Sequence, residues 1–258
     1  MLRSPHAHAR IGAIDTAAAA AAPGVIAILT GDDLARDGIG TIPCVSGLTN
    51  RDQSPAAMPP RPALVRDRVR HVGDTVAMVV AESAAAARDA AERIAVDYQP
   101  LPAIVETAHA LDPGRPPVWD EHPGNLSFDW EIGESGAVER AAATARHRVS
   151  LSLVNNRVIV NSMEPRGAIG EYDPGEESYT LWSSTQGSHF LRNLLAEHIF
   201  RIPENRIRVV TPDVGGGFGM KLFLYPEHVL VLWAARRLGR PIKWIPDRSD
   251  SFMTDTQG

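Results

Sequence analysis

Residues 213–221 read Asp213-Val-Gly-Gly-Gly-Phe-Gly-Met-Lys221. Glycine admits φ > 0 and lets bare backbone N–H groups come close to a ligand, at an entropic cost. From the residues alone two readings stand: a tight turn with a bulge, or a backbone cradle for a ligand. Spacing excludes two nucleotide motifs. A dinucleotide fingerprint G-x-G-x-x-G counted from Gly215 would need glycine where Met220 stands, and counted from Gly217 it would need glycine at Leu222. A phosphate loop G-x-x-x-x-G-K-[ST] fails because Met220 precedes Lys221 and Leu222 follows it. The ligand of such a cradle must therefore be inferred from its neighbours.

Other reactive side chains are sparse. His6 and His8 are two residues apart and share a face if the segment is a strand, as a metal pair or as hydrogen-bonded structural histidines. The single cysteine, Cys44, excludes an internal disulfide and any multi-cysteine zinc or iron–sulfur site within the chain. The net charge of -5 over 258 residues gives no basic field for nucleic acid. No apolar run is long enough to span a membrane and no secretory leader opens the sequence, so the expectation is a cytoplasmic protein. Lys221 and Glu227 read as surface or helix-end charges without a role. Glu164 and Arg166 read either as a buttress of the site or as members of a structural salt bridge.

Particular elements must hold these residues in place. Residues 206–210 alternate polar and apolar and predict a strand entering the glycine loop. Residues 225–238 predict a helix leaving it, with Pro226 in the first turn. Further strands are expected at 25–29, 75–81, 94–98, 146–154, 157–161 and 240–245, and a hairpin at 167–183 around Pro174-Gly175. Helices are expected at 17–22, 82–93, 136–144 and 189–200, with a long surface loop over 38–61, and Arg248-Ser-Asp-Ser-Phe252 trails toward the end of the sequence without an assigned element. The run from 75 to 98 predicts strand, helix and strand in one compact α/β unit. Asp112-Pro-Gly-Arg-Pro-Pro117 breaks the pattern and marks a boundary between two regions.

Taken together, Arg3-Ser-Pro-His-Ala-His-Ala-Arg-Ile11, Val72-Gly-Asp74, Met163-Glu-Pro-Arg166, Thr185-Gln186, Pro212-Asp-Val-Gly-Gly-Gly-Phe-Gly219 and Gly239-Arg-Pro241 stand in a characteristic order. With these motifs the chain resembles the molybdenum-binding large subunit of the xanthine dehydrogenase, aldehyde oxidase and carbon monoxide dehydrogenase family. The resemblance implies an α+β fold. Residues 1–112 would form an a/b hammerhead domain lacking its N-terminal part, 113–134 a linker, and 135–258 the first part of a molybdopterin-binding domain.

The implied activity is oxidoreductase chemistry: hydroxylation of an aldehyde, an N-heterocycle or a related small substrate, with water as the oxygen source. The implied cofactor is molybdopterin cytosine dinucleotide carrying molybdenum, with the metal held by the pterin and not by side chains. Gln186 would set its side-chain amide beside the metal's oxo group, Gly219 would aim its N–H at the same group, and Phe218 would wall the substrate pocket. Gly215, Gly216 and Gly217 would let the backbone approach the pterin. Xanthine-specific relatives carry glutamate where Leu222 stands, which argues against purines. An iron–sulfur [2Fe-2S] small subunit and an FAD-binding medium subunit are the implied partners, together with the remainder of the large subunit. The family's catalytic glutamate falls beyond the region this chain matches. The chain is therefore expected to be inactive alone, either as part of a split enzyme or as a non-catalytic remnant or assembly piece.

Overall fold

The computed structural model describes residues 1–44 and 47–256. Val45 and Ser46 of the expected long loop, and Gln257 and Gly258 at the end of the expected second region, lie outside the described residues. The chain opens on two short strands, β1 (Leu2–Arg3) and β2 (Ala9–Asp15). A one-turn helix α1 (Ala17–Ala20) follows, its first N–H taken by the Asp15 carboxylate. Strand β3 (Val25–Thr30) runs directly into α2 (Gly31–Arg36). There the Asp33 carboxylate accepts from both the N–H and the hydroxyl of Thr30, tying down the helix start.

Next come β4 (Arg68–Val69), β5 (Thr75–Ala81), α3 (Ala84–Ala91) and β6 (Ala95–Pro100). Ser83 caps α3 by accepting from Ala86 N–H. The expected strand–helix–strand unit is corrected here. β5 is the middle of one antiparallel sheet, in order β1-β5-β3, while β6 belongs to another, in order β4-β2-β6. The helix thus carries the chain between sheets and does not return it to the same one.

After α4 (Ser135–Thr144), β7 (Ala168–Asp173) and β8 (Ser178–Ser183) form the expected hairpin. The expected strands at 146–154 and 157–161 do not form: Val149 is 94% exposed, Leu151 77% and Val154 85%. Alternation supplies a strand only where a neighbouring edge accepts its backbone bonds. Among the described residues no such edge pairs with this segment. Helix α5 (Ser188–Leu194) continues into wider π-helical turns over Leu195–Phe200 and stops at left-handed Arg201. Strand β9 (Ile207–Val210) pairs parallel with β8, and β10 (Ile242–Trp244) pairs with β7. The sheet order is β10-β7-β8-β9. The trailing segment, to which the sequence assigned no element, forms a helix, α7 (Arg248–Thr254).

Between β9 and β10 lies α6 (Pro226–Leu238), buried continuously from Glu227 to Ala235. It crosses β7 at Gly170, where a Cβ would stand 2.4 Å from the carbonyl carbon of Val231. Only a residue without a side chain lets helix and strand approach this closely. The core around α6 is continuous with Leu29, Leu34, Leu64, Met78 and Val80 from the first hundred residues. The two expected regions therefore share one apolar core. Among the described residues no helix is long and apolar enough to cross a membrane.

The first turn of α6 also buries two titratable groups. Glu227 Oε1 accepts from Arg3 Nη2 at 2.6 Å and Oε2 from Arg166 Nη1 at 2.9 Å. Burial alone would raise this carboxylate, but the charges of Arg166 and Arg3 outweigh it and hold the group well below the usual range. The next residue, His228, accepts at Nδ1 from Tyr225 N–H at 3.3 Å, and its Nε2 lies 3.2 Å from Ser183 Oγ. The Ser183 hydroxyl proton goes to Gly167 O, so His228 is neutral and protonated at Nε2. Burial, assisted by the nearby Arg166 charge, lowers its pKa from 6.5 to about 4.

Both groups make the fold acid-sensitive. The unfolded chain takes up the His228 proton near pH 6.5 and the folded chain only near pH 4, so stability falls as pH drops through that window. Glu227 adds a second loss below its ordinary value of 4.5, because its folded-state pKa is depressed. We expect urea midpoints measured from pH 7.5 to 4.5 to decline, and His228→Gln to flatten the decline. A wild-type midpoint constant over that range would contradict the burial of a neutral His228. At pH 7, Glu227→Gln should cost about 3–5 kcal/mol in the same assay, because it leaves buried guanidinium charge uncompensated.

Candidate functional site

Parallel pairing of β8 with β9, with Trp182 opposite Val210, brings the C-terminal ends of both strands to one edge of the sheet. The chain leaving β8 carries Thr185 and Gln186, and the chain leaving β9 becomes the glycine loop. Residues far apart in sequence are thus set side by side by backbone geometry. The loop closes on a single turn over Met220–Leu222 before Tyr225 enters α6.

Gln186 meets the loop directly. Its Oε1 accepts from Gly219 N–H at 2.9 Å and from Lys221 N–H at 3.2 Å. Its own N–H donates to Lys221 O at 3.1 Å, and the Thr185 hydroxyl donates to the same carbonyl at 2.8 Å. Two backbone donors on the carboxamide oxygen fix which end of the amide is which. The NH2 is therefore the end left over, and among the described residues it has no acceptor. Gln186 lies exposed at the protein surface.

All six residues predicted for the site are brought together, in arrangements that differ from the expectation in two respects. Gly219, expected to aim its N–H outward, gives it to Gln186. Gly215 gives its N–H to Glu164 Oε2 at 2.7 Å, so it is not a free donor either. A Cβ on Gly215 would lie 2.5 Å from Glu164 Cβ, and one on Gly217 would lie 2.6 Å from Gln186 Cδ. These two glycines are demanded by the side chains packed against them. Phe218 has φ 51° and is 77% exposed, an apolar ring held outward by a backbone that non-glycine residues rarely adopt. Gly219 has φ 92° with nothing within 4 Å of where a Cβ would stand.

Lys221 and Glu227, expected as surface or helix-end charges, both stand at helix ends, Glu227 in the first turn of α6, but both are buried and ion-paired and not on the surface. Lys221 Nζ donates to Glu164 Oε2 at 2.7 Å. Burial tends to raise Glu164, but the Lys221 ammonium and the Gly215 N–H together hold it below the ordinary carboxylate value. One signal was available: Lys221 is the sole charged residue between Asp213 and Glu227, set in an otherwise apolar and glycine-rich run. Arg166 belongs to the structural network, bonding Glu227, Asp255 Oδ1 at 2.6 Å and Thr254 Oγ1 at 2.6 Å. In the first region His8 donates from Nδ1 to Pro102 O at 2.8 Å, and the His6 ring packs on Tyr98.

A family model described as the molybdopterin cofactor-binding domain matches residues 118–258. A second, the aldehyde oxidase and xanthine dehydrogenase a/b hammerhead domain, matches residues 1–102. The nicotine 6-hydroxylase large subunit of Paenarthrobacter nicotinovorans is 34% identical over 98% of this chain and 30% of its own length. The carbon monoxide dehydrogenase large chain of Hydrogenophaga pseudoflava is 32% identical over 98% of this chain and 32% of its own. Among solved structures, quinoline 2-oxidoreductase from Pseudomonas putida 86 superposes with a TM-score of 0.87 at 38% identity, covering 99% of this chain and 31% of that one. The chain thus spans about a third of the length of the relatives it matches.

The glycine geometry separates two substitutions. Gly217→Ala should push Gln186 off the loop and speed amide exchange at both Gly219 and Lys221, as read by hydrogen-exchange mass spectrometry. Gly219→Ala should lower global stability by about 1–3 kcal/mol through backbone strain and leave the Lys221 amide protected. Equal exchange in the two variants would show that Gln186 does not depend on the bareness of Gly217.

Proposed function

The chain belongs to the molybdenum-binding large subunits of the xanthine dehydrogenase, aldehyde oxidase and carbon monoxide dehydrogenase family, and on that premise we propose that Gln186 and the glycine loop form one wall of a molybdenum hydroxylase site. The observation that carries this reading is the Gln186 carboxamide, whose oxygen is held by two backbone N–H groups and whose NH2 has no partner among the described residues. A neutral amide donor suits an oxo group, because it stabilises growing negative charge without adding a formal charge. The residues fit such a cofactor in a second way. At Gly219 the backbone takes a glycine-only conformation while the space before it stays open.

When bound, the molybdenum cofactor would supply the redox chemistry, a two-electron oxidation at a substrate carbon with water as the oxygen source. This chain's residues hold and orient. Gln186 would donate from Nε2 toward the oxo group, with Gly219 and Lys221 fixing the amide's rotation. Gly215, Gly216 and Gly217 would carry the backbone past the pterin. Phe218 would offer its exposed ring as an apolar wall for a flat substrate and shield the reacting carbon from bulk water.

An aldehyde, an N-heterocycle or a related small molecule is the substrate class we favour. Relatives named for nicotine and quinoline support the heterocycles. Leu222, in place of a glutamate, offers a purine no carboxylate. The finer expectations complete the reading. They are the cytosine dinucleotide form of the cofactor, electron transfer through [2Fe-2S] and FAD subunits, a cytoplasmic location, and a hammerhead region ending near residue 112. A relative named as a subunit of the 6-hydroxypseudooxynicotine dehydrogenase complex supports a multi-subunit assembly.

In the complete molybdenum enzyme, Gln186→Ala should lower turnover by about 100-fold or more while molybdenum content stays near that of the wild type. Metal analysis and a dye-reduction assay on one preparation check this. Unchanged turnover at full loading would refute the role given to Gln186.

A further inference from the structure

Lys221 commits every polar group it has. Its N–H donates to Gln186 Oε1, and its carbonyl accepts from Gln186 N–H and the Thr185 hydroxyl. Its ammonium reaches Glu164 Oε2 at 2.7 Å, and the same oxygen accepts Gly215 N–H at 2.7 Å. Gly215 O in turn accepts from Glu164 N–H at 3.0 Å. Both ends of the glycine loop therefore converge on one carboxylate oxygen. The burial is lopsided: the Lys221 side chain is 0% exposed and the Glu164 side chain 42%. An ammonium is costly to bury, and a methionine of similar length would fill the same space without that cost. A lysine here makes sense if its charge is needed at the mouth of the loop.

We infer that Lys221 is a positioning residue: its ion pair with Glu164 staples the two ends of the glycine loop, and so holds the backbone that orients the Gln186 carboxamide. The staple rests on the cofactor-facing role proposed for Gln186. It makes no contact with the substrate and acts only through Gln186. Without the ammonium, Glu164 can swing toward solvent, Gly215 loses its acceptor, and the peptide bearing Lys221 N–H keeps only the Tyr225 bond at Met220 O, which loosens its hold on Gln186 Oε1. The carboxamide can then turn over and present its oxygen, the wrong end, to the oxo group.

The test uses the molybdenum-loaded enzyme with Lys221→Met, Lys221→Arg, Glu164→Gln, Gln186→Ala and the double variant Gln186→Ala/Lys221→Met. Three quantities are read: amide exchange over residues 214–222, molybdenum and pterin content, and the electron paramagnetic resonance spectrum of the metal. Lys221→Met should speed exchange at Gly219 and Lys221 by about tenfold, as local opening would. It should also shift the metal spectrum in the same sense as Gln186→Ala. The double variant should match Gln186→Ala alone, and Lys221→Arg should restore both exchange and spectrum. Glu164→Gln keeps a neutral acceptor on the partly exposed partner and should show a smaller change of the same kind. A Lys221→Met protein that loses molybdenum while its exchange and the spectrum of its loaded fraction stay unchanged would overturn the inference. A wild-type spectrum in Gln186→Ala would instead refute the role of Gln186. Exchange alone would then decide the staple: faster exchange in Lys221→Met supports it and unchanged exchange overturns it.

Discussion

Glu227 is the one carboxylate to which the rest of this structure is tied. It stands in the first turn of α6, where the helix dipole favours negative charge, and it is almost completely buried between Arg3 and Arg166. Removing three charged groups from water costs several kcal/mol each, so the site persists only because its hydrogen bonds are nearly complete. Arg3 also bonds Asp250, and Arg166 also bonds Asp255 and Thr254. The network joins the first strand, the segment before β7, the start of α6 and the end of α7. Pieces of chain more than two hundred residues apart are thereby locked by charge as well as by the shared apolar core.

That anchoring reaches the candidate site through Tyr225. The Arg166 guanidinium lies 3.6 Å over the Tyr225 ring, and the Tyr225 hydroxyl donates to Met220 O at 2.6 Å. The exit of the glycine loop is thereby fixed to the ion network, while its entry follows from β9 in the parallel sheet. Between these fixed ends the loop is exposed from Asp213 to Gly215 and again at Phe218 and Gly219. Rigid supports under an open surface are what a pre-formed binding wall requires.

Much of this was legible in the residues. Strands β3, β5, β7 and β8 carry branched or aromatic runs, and Pro226 and Gly239 bracket α6, Gly239 taking the left-handed conformation at its end. The order of motifs located Gln186 and the glycine loop together. What escaped the reading depended on partners elsewhere. The segment 146–161 has the alternation of a strand but no edge to pair with among the described residues. Helix α7 has little apolar periodicity and is held by the bonds that Asp250, Thr254 and Asp255 make to the two arginines and by its contact with Gly73. Lys221 and Glu227 looked like surface or helix-end charges without a role because charge is normally a surface property. Their burial depends on counter-ions 57 residues away for Lys221, and on 61 and 224 residues away for Glu227. No local pattern records such distances.

The glycines show why composition alone left two readings open. Gly215 and Gly217 are bare because Glu164 and Gln186 occupy the space of their side chains, and Gly216 because the Phe218 ring and Ser162 crowd it. Internal packing accounts for these three, so three consecutive glycines are by themselves no sign of a ligand. Gly219 differs. Like Gly216 it has a positive φ, yet beyond its chain neighbours no described residue lies within 4 Å of where its Cβ would stand. The backbone there opens the turn over Met220–Leu222, where Leu222 N–H donates to Gly219 O at 3.2 Å, and turns the Gly219 N–H onto Gln186 Oε1. That single bond, with its partner from Lys221, sets the direction of the free amide end. Support for a cofactor-facing wall therefore rests on Gly219 and Gln186 as a pair, and the triple glycine is the packing that lets the pair meet.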